Sequence, residues 1–189
     1  GRHDQGTHGS GARVDSSAMD TAFSTLSESH RKIATDIASK FPAGTLETTV
    51  RVVAVKKMAL GTDADYDAKK GAVTLSKLST TYGDVPQTLA HEFAHATNQA
   101  PSTHPIHAVR EKVDALYQSQ MRELIPPSAL AKAKDATDLL QIRQTAYAKK
   151  ESNKPVTTYA MTNKNEYWAE SVSYMITSPQ VLQKRDPKV

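Results

Sequence analysis

The segment Leu89-Ala90-His91-Glu92-Phe93-Ala94-His95-Ala96 contains the pattern H-E-x-x-H, two histidines four positions apart with a glutamate beside the first. Residues four positions apart lie on one face of an α-helix, so His91 and His95 can present imidazole nitrogens to a single metal ion. Glu92 lies about 100° around the helix from His91, too far round to be an obvious third ligand. A carboxylate in this position can act as the general base for a metal-bound water.

The residues around this motif support a helix. Asp84 is of a type that caps helix N-termini, and Pro86 falls in the first turn, where its missing N–H leaves no bond unmade. We therefore predict a helix over residues 84–99, with Leu89 and Phe93 on its core face.

The bulk composition narrows the class of protein. The 189 residues fit one domain, and 38% hydrophobic content is enough for a core. Lys and Arg number 24 against 20 Asp and Glu, and this net charge of +4 gives little support for a nucleic-acid partner. Because there is no cysteine, histidine and carboxylate would have to hold any zinc. No apolar run reaches membrane-spanning length and no signal peptide is visible, so we expect no membrane partner. We also expect a monomer.

Residues 1–14 are predicted to form a flexible tail, because glycines alternate there with polar residues. His3 and His8 are interpreted as parts of a linker, with a weak second metal site or an inhibitory arm as alternatives. The run His3-Asp4-Gln5-Gly6-Thr7-His8-Gly9 resembles a short segment of bacteriophage head-module proteins. The start at Gly1 rather than Met is typical of a processed product or a piece of a longer protein, such as a secreted effector or a virion-associated fragment.

The apolar patterns elsewhere predict an α+β fold with a small antiparallel or mixed sheet. Residues 16–40 have the spacing of an amphipathic helix, and the β-branched residues 48–55 predict a strand. A second strand is predicted over residues 71–78, after a loop or hairpin at 56–67 and before a turn at 80–83. Helices are also predicted over 108–124, 128–151 and 163–176, followed by a short helix that Ser178 caps, and residues 156–161 are predicted to be irregular.

A catalytic zinc site needs a third protein ligand. The pattern H-E-x-x-H-x-x-G-x-x-H is excluded, because Asn98 and Pro101 occupy its glycine and histidine positions. His104 and His107 are alternatives, but they lie in a loop interrupted by prolines and no spacing rule supports them.

A better candidate lies in the segment 162–170, where Glu166 and Glu170 are one helical turn apart. One carboxylate can complete a site of two histidines and one glutamate, and the other can accept a hydrogen bond from a ligand imidazole. Taken alone, Asn163 and Glu166 also form a capping box, and Glu170 fits a solvated helix face. Tyr159 can donate a hydrogen bond to a developing oxyanion, with ordinary packing as its alternative. Tyr167 and Trp168 are interpreted as packing residues.

These segments together resemble the catalytic domain of anthrax lethal factor and its gluzincin relatives. The match rests on His91-Glu92-Phe93-Ala94-His95 and on the segment from Tyr159 to Glu170, within residues 74–174. The resemblance implies that Glu166 is the third ligand of Zn²⁺, that Glu170 supports the site, and that Tyr159 assists at the transition state. It also implies a zinc endopeptidase with a small sheet above the active-site helix.

The resemblance further implies one zincin-like metallopeptidase domain over residues 15–189. Its sheet and active-site helix would occupy 15–100, and a mainly helical part would occupy 101–189. A protein or peptide substrate would extend along an edge strand near residues 71–76. It does not identify that substrate, and the delivery and docking domains of lethal factor are missing from this sequence.

Three other interpretations remain open. The chain could be a non-catalytic, virion-associated zinc module, although such a module has no need for Glu92. Self-cleavage could have produced the Gly1 terminus. A basic helical protein that binds nucleic acid would use Lys132, Lys134, Arg143, Lys149 and Lys150, although Asp135, Asp138 and Glu151 interrupt that patch.

Overall fold

The structure, a computed structural model, describes residues 11–189. His3 and His8 lie outside the described residues. Val14 is buried, and its N–H donates to Phe41 O at 2.9 Å. The folded part therefore includes residue 14, which the sequence analysis assigns to the tail.

The α+β class is confirmed, with eight α-helices and a three-stranded mixed sheet in the described residues. None of these helices combines the length and the apolar composition that a membrane span requires. The strands are β1 (Val52–Lys56), β2 (Ala64–Asp67) and β3 (Ala72–Ser76). The helices are α1 (Glu28–Ala38), α2 (Lys77–Tyr82), α3 (Val85–Ala96), α4 (Ile106–Leu124), α5 (Pro127–Leu130), α6 (Ala136–Ala148), α7 (Lys164–Thr177) and α8 (Pro179–Arg185).

β3 forms the centre of the sheet, parallel to β1 and antiparallel to β2. The prediction of an edge strand at residues 71–76 is therefore wrong, because β2 covers that edge. β2 arises from the predicted loop or hairpin at 56–67, where two aspartates in four residues weaken the strand signal. Tyr66 fixes β2 by donating its hydroxyl to Thr49 O at 2.6 Å. The two edge strands of this sheet are β1 and β2, and β2 also contacts α3.

Two predicted helices are each divided in the structure. Residues 16–40 form a 3₁₀ turn at Ser16–Met19 and then α1, which Ser27 caps. Residues 128–151 form α5 and α6, and Asp135 caps α6. Each dividing residue accepts a backbone hydrogen bond with its side chain, so a new helix begins there and the preceding segment ends.

Two smaller differences also depend on caps. Residues 77–82 form α2 instead of a strand end and a turn, because the Ser76 side chain accepts from the Ser79 N–H at 3.0 Å. Ser178 makes no side-chain cap, although α8 begins after it as predicted.

Three helices agree closely with the prediction. α4 and α7 lie within two residues of their predicted bounds, as does α3 when the 3₁₀ turn Thr97–Gln99 is included.

α3 is the helix around which the core is packed, in contact with α1, α7 and β2. Phe93 is completely buried, with its ring 5.9 Å from that of Phe23 and 6.1 Å from that of Phe41. Burying such a side chain contributes about 1.5–3 kcal/mol. From α7, Trp168 donates its Nε1–H to Ala94 O at 3.0 Å. These contacts fix the rotation of α3 about its axis and join it to α7.

Candidate metal centre

The core face of α3 determines where its two histidines point. Asp84 caps the helix as predicted, and Leu89 and Phe93 are completely buried. His91 and His95 lie on another face, and their side chains remain 14% and 19% exposed. The helix therefore presents both imidazoles, one turn apart, at a partly open surface.

α7 presents Glu166 to the two histidines from its first turn. Asn163 caps α7 by accepting from the Glu166 N–H at 2.9 Å. The carboxylate of the same residue faces His91 and His95. Only the Asn163 half of the predicted capping box therefore forms, because the Glu166 carboxylate contacts the histidines instead of the Asn163 N–H.

The three side chains converge on one point. Glu166 Oε2 lies 3.0 Å from His91 Nε2, and Glu166 Oε1 lies 3.3 Å from His95 Nε2. The two Nε2 atoms are 3.1 Å apart. A tetrahedral zinc ion with ligands at about 2.0–2.1 Å holds those ligands about 3.3 Å from each other. The donor atoms therefore have the types and the mutual spacing that zinc requires.

The electrostatics of this cluster favour a positive charge at its centre. Glu166 Oε2 is buried, and its close contact with His91 is not aligned as a hydrogen bond. Burial lowers the pKa of His91, but the carboxylates of Glu166 and Glu170 outweigh burial and raise it to about 10. Burial raises the pKa of Glu166, but His91 and His95 reverse that effect and bring it to about 2. A divalent cation bound to these atoms would supply the same charge and release a proton.

Glu170 lies behind His91, as expected for a residue that orients a ligand. Its Oε2 is 3.1 Å from His91 Nδ1, and its Oε1 accepts from the Thr157 hydroxyl at 2.8 Å. In the neutral imidazole that a metal ion requires, a hydrogen bond from Nδ1–H to Glu170 selects the tautomer with a free Nε2 lone pair. That lone pair is the one that points at Glu166 and His95.

Glu92 is buried, with 7% of its surface exposed. Burial raises the pKa of its carboxyl, while the nearby His91 and His95 lower it. A carboxyl with a raised pKa takes and returns a proton near neutral pH more readily than an ordinary one. Glu92 therefore has an environment that suits a general base.

Tyr159 lies at the rim of the cluster, half exposed, with its ring 5.9 Å from that of His91. Burial raises the pKa of its hydroxyl, and the carboxylates of Glu166, Glu92 and Glu170 raise it further. The phenol therefore keeps its proton and can donate it in a hydrogen bond.

Two adjoining cavities meet at the cluster and form an open cleft. They measure about 620 and 430 Å³ and share Ala64, His91, Glu92 and Tyr159 in their walls. The first continues past Asp63 towards α2, and the second continues past Tyr66 towards the end of α3. β2 borders both, so the cleft extends to both sides of the cluster along an edge strand.

The two alternative histidines are engaged elsewhere. His104 Nε2 lies 2.8 Å from Ala43 O, and its Nδ1 accepts from the Ile106 N–H at 3.0 Å. His107 Nε2 lies 3.0 Å from Ala100 O. Neither belongs to the group of His91, His95 and Glu166, the cluster with metal-ligand spacing in the described residues.

The predicted packing residues are buried. Trp168 donates a hydrogen bond to α3, and Tyr167 donates its hydroxyl to Asp186.

Sequence reasoning missed two residues beside the cluster, Thr157 and Arg110. The Arg110 guanidinium bonds to Asn98 and Asn165 and lies over the Trp168 ring, so it ties the end of α3 to the start of α7. Neither residue belongs to a motif, and the partners that connect them to the site lie 12 or more positions away in the sequence.

The basic residues considered for nucleic acid lie away from this cleft. Lys132, Lys149 and Lys150 line a separate cavity of about 640 Å³ beside α5 and α6. Lys150 pairs with Glu123 at 2.9 Å. Among the described residues, no lysine or arginine lines either of the two cavities that form the cleft.

The α+β class thus follows from the coordinates, whereas the resemblance to lethal factor and the gluzincins depends on the residues of the two motifs. Those residues include the three that converge in the structure. Compared with known proteins, the chain matches no protein-family model, no curated protein and no solved structure.

Proposed function

We propose that this protein is a zinc-dependent endopeptidase of the gluzincin type, with a zincin-like fold. The observation that carries the proposal is the convergence of His91, His95 and Glu166 at ligand spacing, with Glu92 beside them. Three protein ligands leave one position of tetrahedral zinc open, which is the arrangement of catalytic rather than structural sites.

The chain's residues divide the chemistry between them. His91, His95 and Glu166 would hold the ion, which when bound would acidify a water molecule and polarise a peptide carbonyl. Glu92 accepts the proton of that water and passes it to the leaving amine. The Tyr159 hydroxyl donates a hydrogen bond to the carbonyl oxygen as negative charge develops on it.

The substrate class follows from the shape of the cleft. An extended protein or peptide segment would pair with the free edge of β2, because β3 occupies its other edge. This replaces the 71–76 edge of the sequence analysis with residues 64–67. Since the cleft continues on both sides of Glu92, the chain to be cut can extend in both directions, which favours an endopeptidase.

The test combines metal analysis with digestion of a peptide library, using the parent, Glu92→Gln and Glu166→Ala. We expect zinc in the parent and in Glu92→Gln, and cleavage by the parent alone. A chelator should abolish that cleavage and added zinc should restore it. A parent that carries zinc but cuts nothing would support a non-catalytic zinc module, and a parent that binds no zinc would overturn the proposal.

A further inference from the structure

Thr157 connects two parts of the candidate site that are separate in sequence. Its hydroxyl donates to Glu170 Oε1 at 2.8 Å, while Glu170 Oε2 lies 3.1 Å from His91 Nδ1. The same hydroxyl oxygen accepts from the Ala160 N–H at 3.1 Å. Ala160 belongs to the 3₁₀ turn Tyr159–Met161. One side chain therefore contacts both the residue that orients His91 and the turn that carries Tyr159.

The donor and acceptor in each of these hydrogen bonds follow from the single proton of the Thr157 hydroxyl. A threonine hydroxyl has one proton, and an amide N–H can only donate. The Ala160 N–H therefore occupies an acceptor site of the hydroxyl, and the proton is directed to Glu170. With that donor and His91 Nδ1–H, the carboxylate of Glu170 has a hydrogen bond at each oxygen.

We propose that Thr157 is a positioning residue that sets Glu170, and through it His91, while holding the turn that places Tyr159 at the cleft. The zinc part of this inference needs only the metal cluster, whereas the Tyr159 part rests on the proposed peptidase function. Loss of the hydroxyl would leave the Ala160 N–H without its acceptor and Glu170 Oε1 without its donor. The carboxylate could then rotate away from His91, and the turn could shift.

The experiment compares the zinc affinity of three variants, in each of which a threonine is replaced by a side chain of similar size. Thr157→Val removes the hydroxyl and keeps the shape, whereas Thr157→Ser keeps the hydroxyl. Thr158→Val is the matched control, because Thr158 is exposed and its side chain makes no cap for the turn. Zinc affinity is measured by competition with a chromogenic chelator, and thermal unfolding checks that each variant is folded.

Thr157→Val should weaken zinc binding about tenfold, the lower end of the range for residues that orient a metal ligand. Thr157→Ser should restore parent affinity, and Thr158→Val should not change it. Equal affinities for Thr157→Val and Thr158→Val would overturn the zinc part of the proposal, as would a serine variant as weak as the valine. If the valine variant does not fold, Thr157→Ala is compared with Thr157→Ser in the same way.

The Tyr159 part is tested by kcat on a peptide from the library digest. Thr157→Val should lower kcat with little change in KM, and the loss should be smaller in a Tyr159→Phe background. Fully additive losses would overturn the link to Tyr159. Zinc affinity does not depend on turnover, so a parent that cuts no peptide refutes the peptidase while the zinc comparison still tests Thr157.

Discussion

Two consecutive residues of α7, Glu166 and Tyr167, belong to two polar clusters, one at the edge of a cleft and one buried. On one side, Tyr167 donates its hydroxyl to Asp186, which also accepts from Gln120 Nε2 at 2.6 Å. Asp186 is 1% exposed, and each of its carboxylate oxygens has a neutral donor. On the other side, Glu166 and two histidines bring two carboxylate oxygens and two imidazole nitrogens within 3.0–3.3 Å of one another beside an open cleft.

The difference distinguishes a polar cluster that stabilises the fold from one suited to bind a ligand. Buried polar groups normally satisfy one another, as Asp186, Tyr167 and Gln120 Nε2 do, although Gln120 Oε1 is buried without a partner. Glu166 Oε2 is buried without an aligned donor and lies beside two imidazoles at metal-ligand spacing, so this cluster is suited to bind a cation. We therefore expect changes in the first cluster to alter stability and changes in the second to alter metal binding.

The largest effect is expected from Glu166→Ala, which removes one of three ligands. Zinc should be lost after dialysis, and peptide cleavage should be lost with it. In the parent, zinc at 100 times its Kd should raise the unfolding free energy by about 2.7 kcal/mol. Glu166→Ala should show no such rise, measured by thermal unfolding with zinc and with chelator. A zinc-dependent shift as large as that of the parent would exclude Glu166 as a ligand.

Glu92→Gln should keep zinc and lose turnover. The amide is close to the carboxylate in shape but cannot take a proton, and general-base catalysis typically contributes about 10²–10⁴-fold. kcat/KM on a peptide substrate measures the loss, with zinc content as the control. Unchanged turnover would show that Glu92 is not the base.

Glu170→Ala should weaken zinc binding by about 10–100-fold without abolishing it, because Glu170 orients His91 rather than contacting the ion. Chelator competition measures the change against the parent. Loss of zinc as complete as in Glu166→Ala would mean that Glu170 is itself a ligand.

The smallest effect on the metal is expected from Tyr167→Phe, in the other cluster. Losing the hydroxyl leaves a buried oxygen of Asp186 without its donor, which lowers the unfolding free energy by about 1–3 kcal/mol. Urea denaturation of the zinc-free protein measures this loss. Zinc affinity should equal that of the parent, and any large decrease would show that the two clusters are coupled through α7.

The part of the site on α3 could be predicted from the sequence, because the signals for it all lie within one segment. Asp84 caps the helix, and His91 and His95 share a face by spacing alone. Glu166 could be proposed from its segment, but its contact with α3 depends on tertiary packing. The sequence predicts only a loop or hairpin where β2 lies, because the residues of β2 favour a strand weakly and its pairing with β3 stabilises it. The caps at Ser27 and Asp135 were missed because apolar residues continue at helical spacing across the points where one helical segment ends and the next begins.

Thr157 shows a further limit of sequence reasoning. A threonine in an irregular segment has no periodic pattern, and its partner Glu170 lies 13 residues away. The path of the backbone between them, which includes the 3₁₀ turn at Tyr159–Met161, brings its hydroxyl to that carboxylate. Residues that orient a ligand from outside a motif can be found only when the backbone path is known.

The bond from Trp168 to Ala94 joins residues that are 74 positions apart in the chain. Contacts of such long range close late in folding, because the intervening chain must first lose its entropy. A nascent chain would expose His91 and His95 well before the ribosome has made α7. Zinc capture would therefore report the docking of α7, and a fragment that stops before Glu166 would carry two of the three ligands.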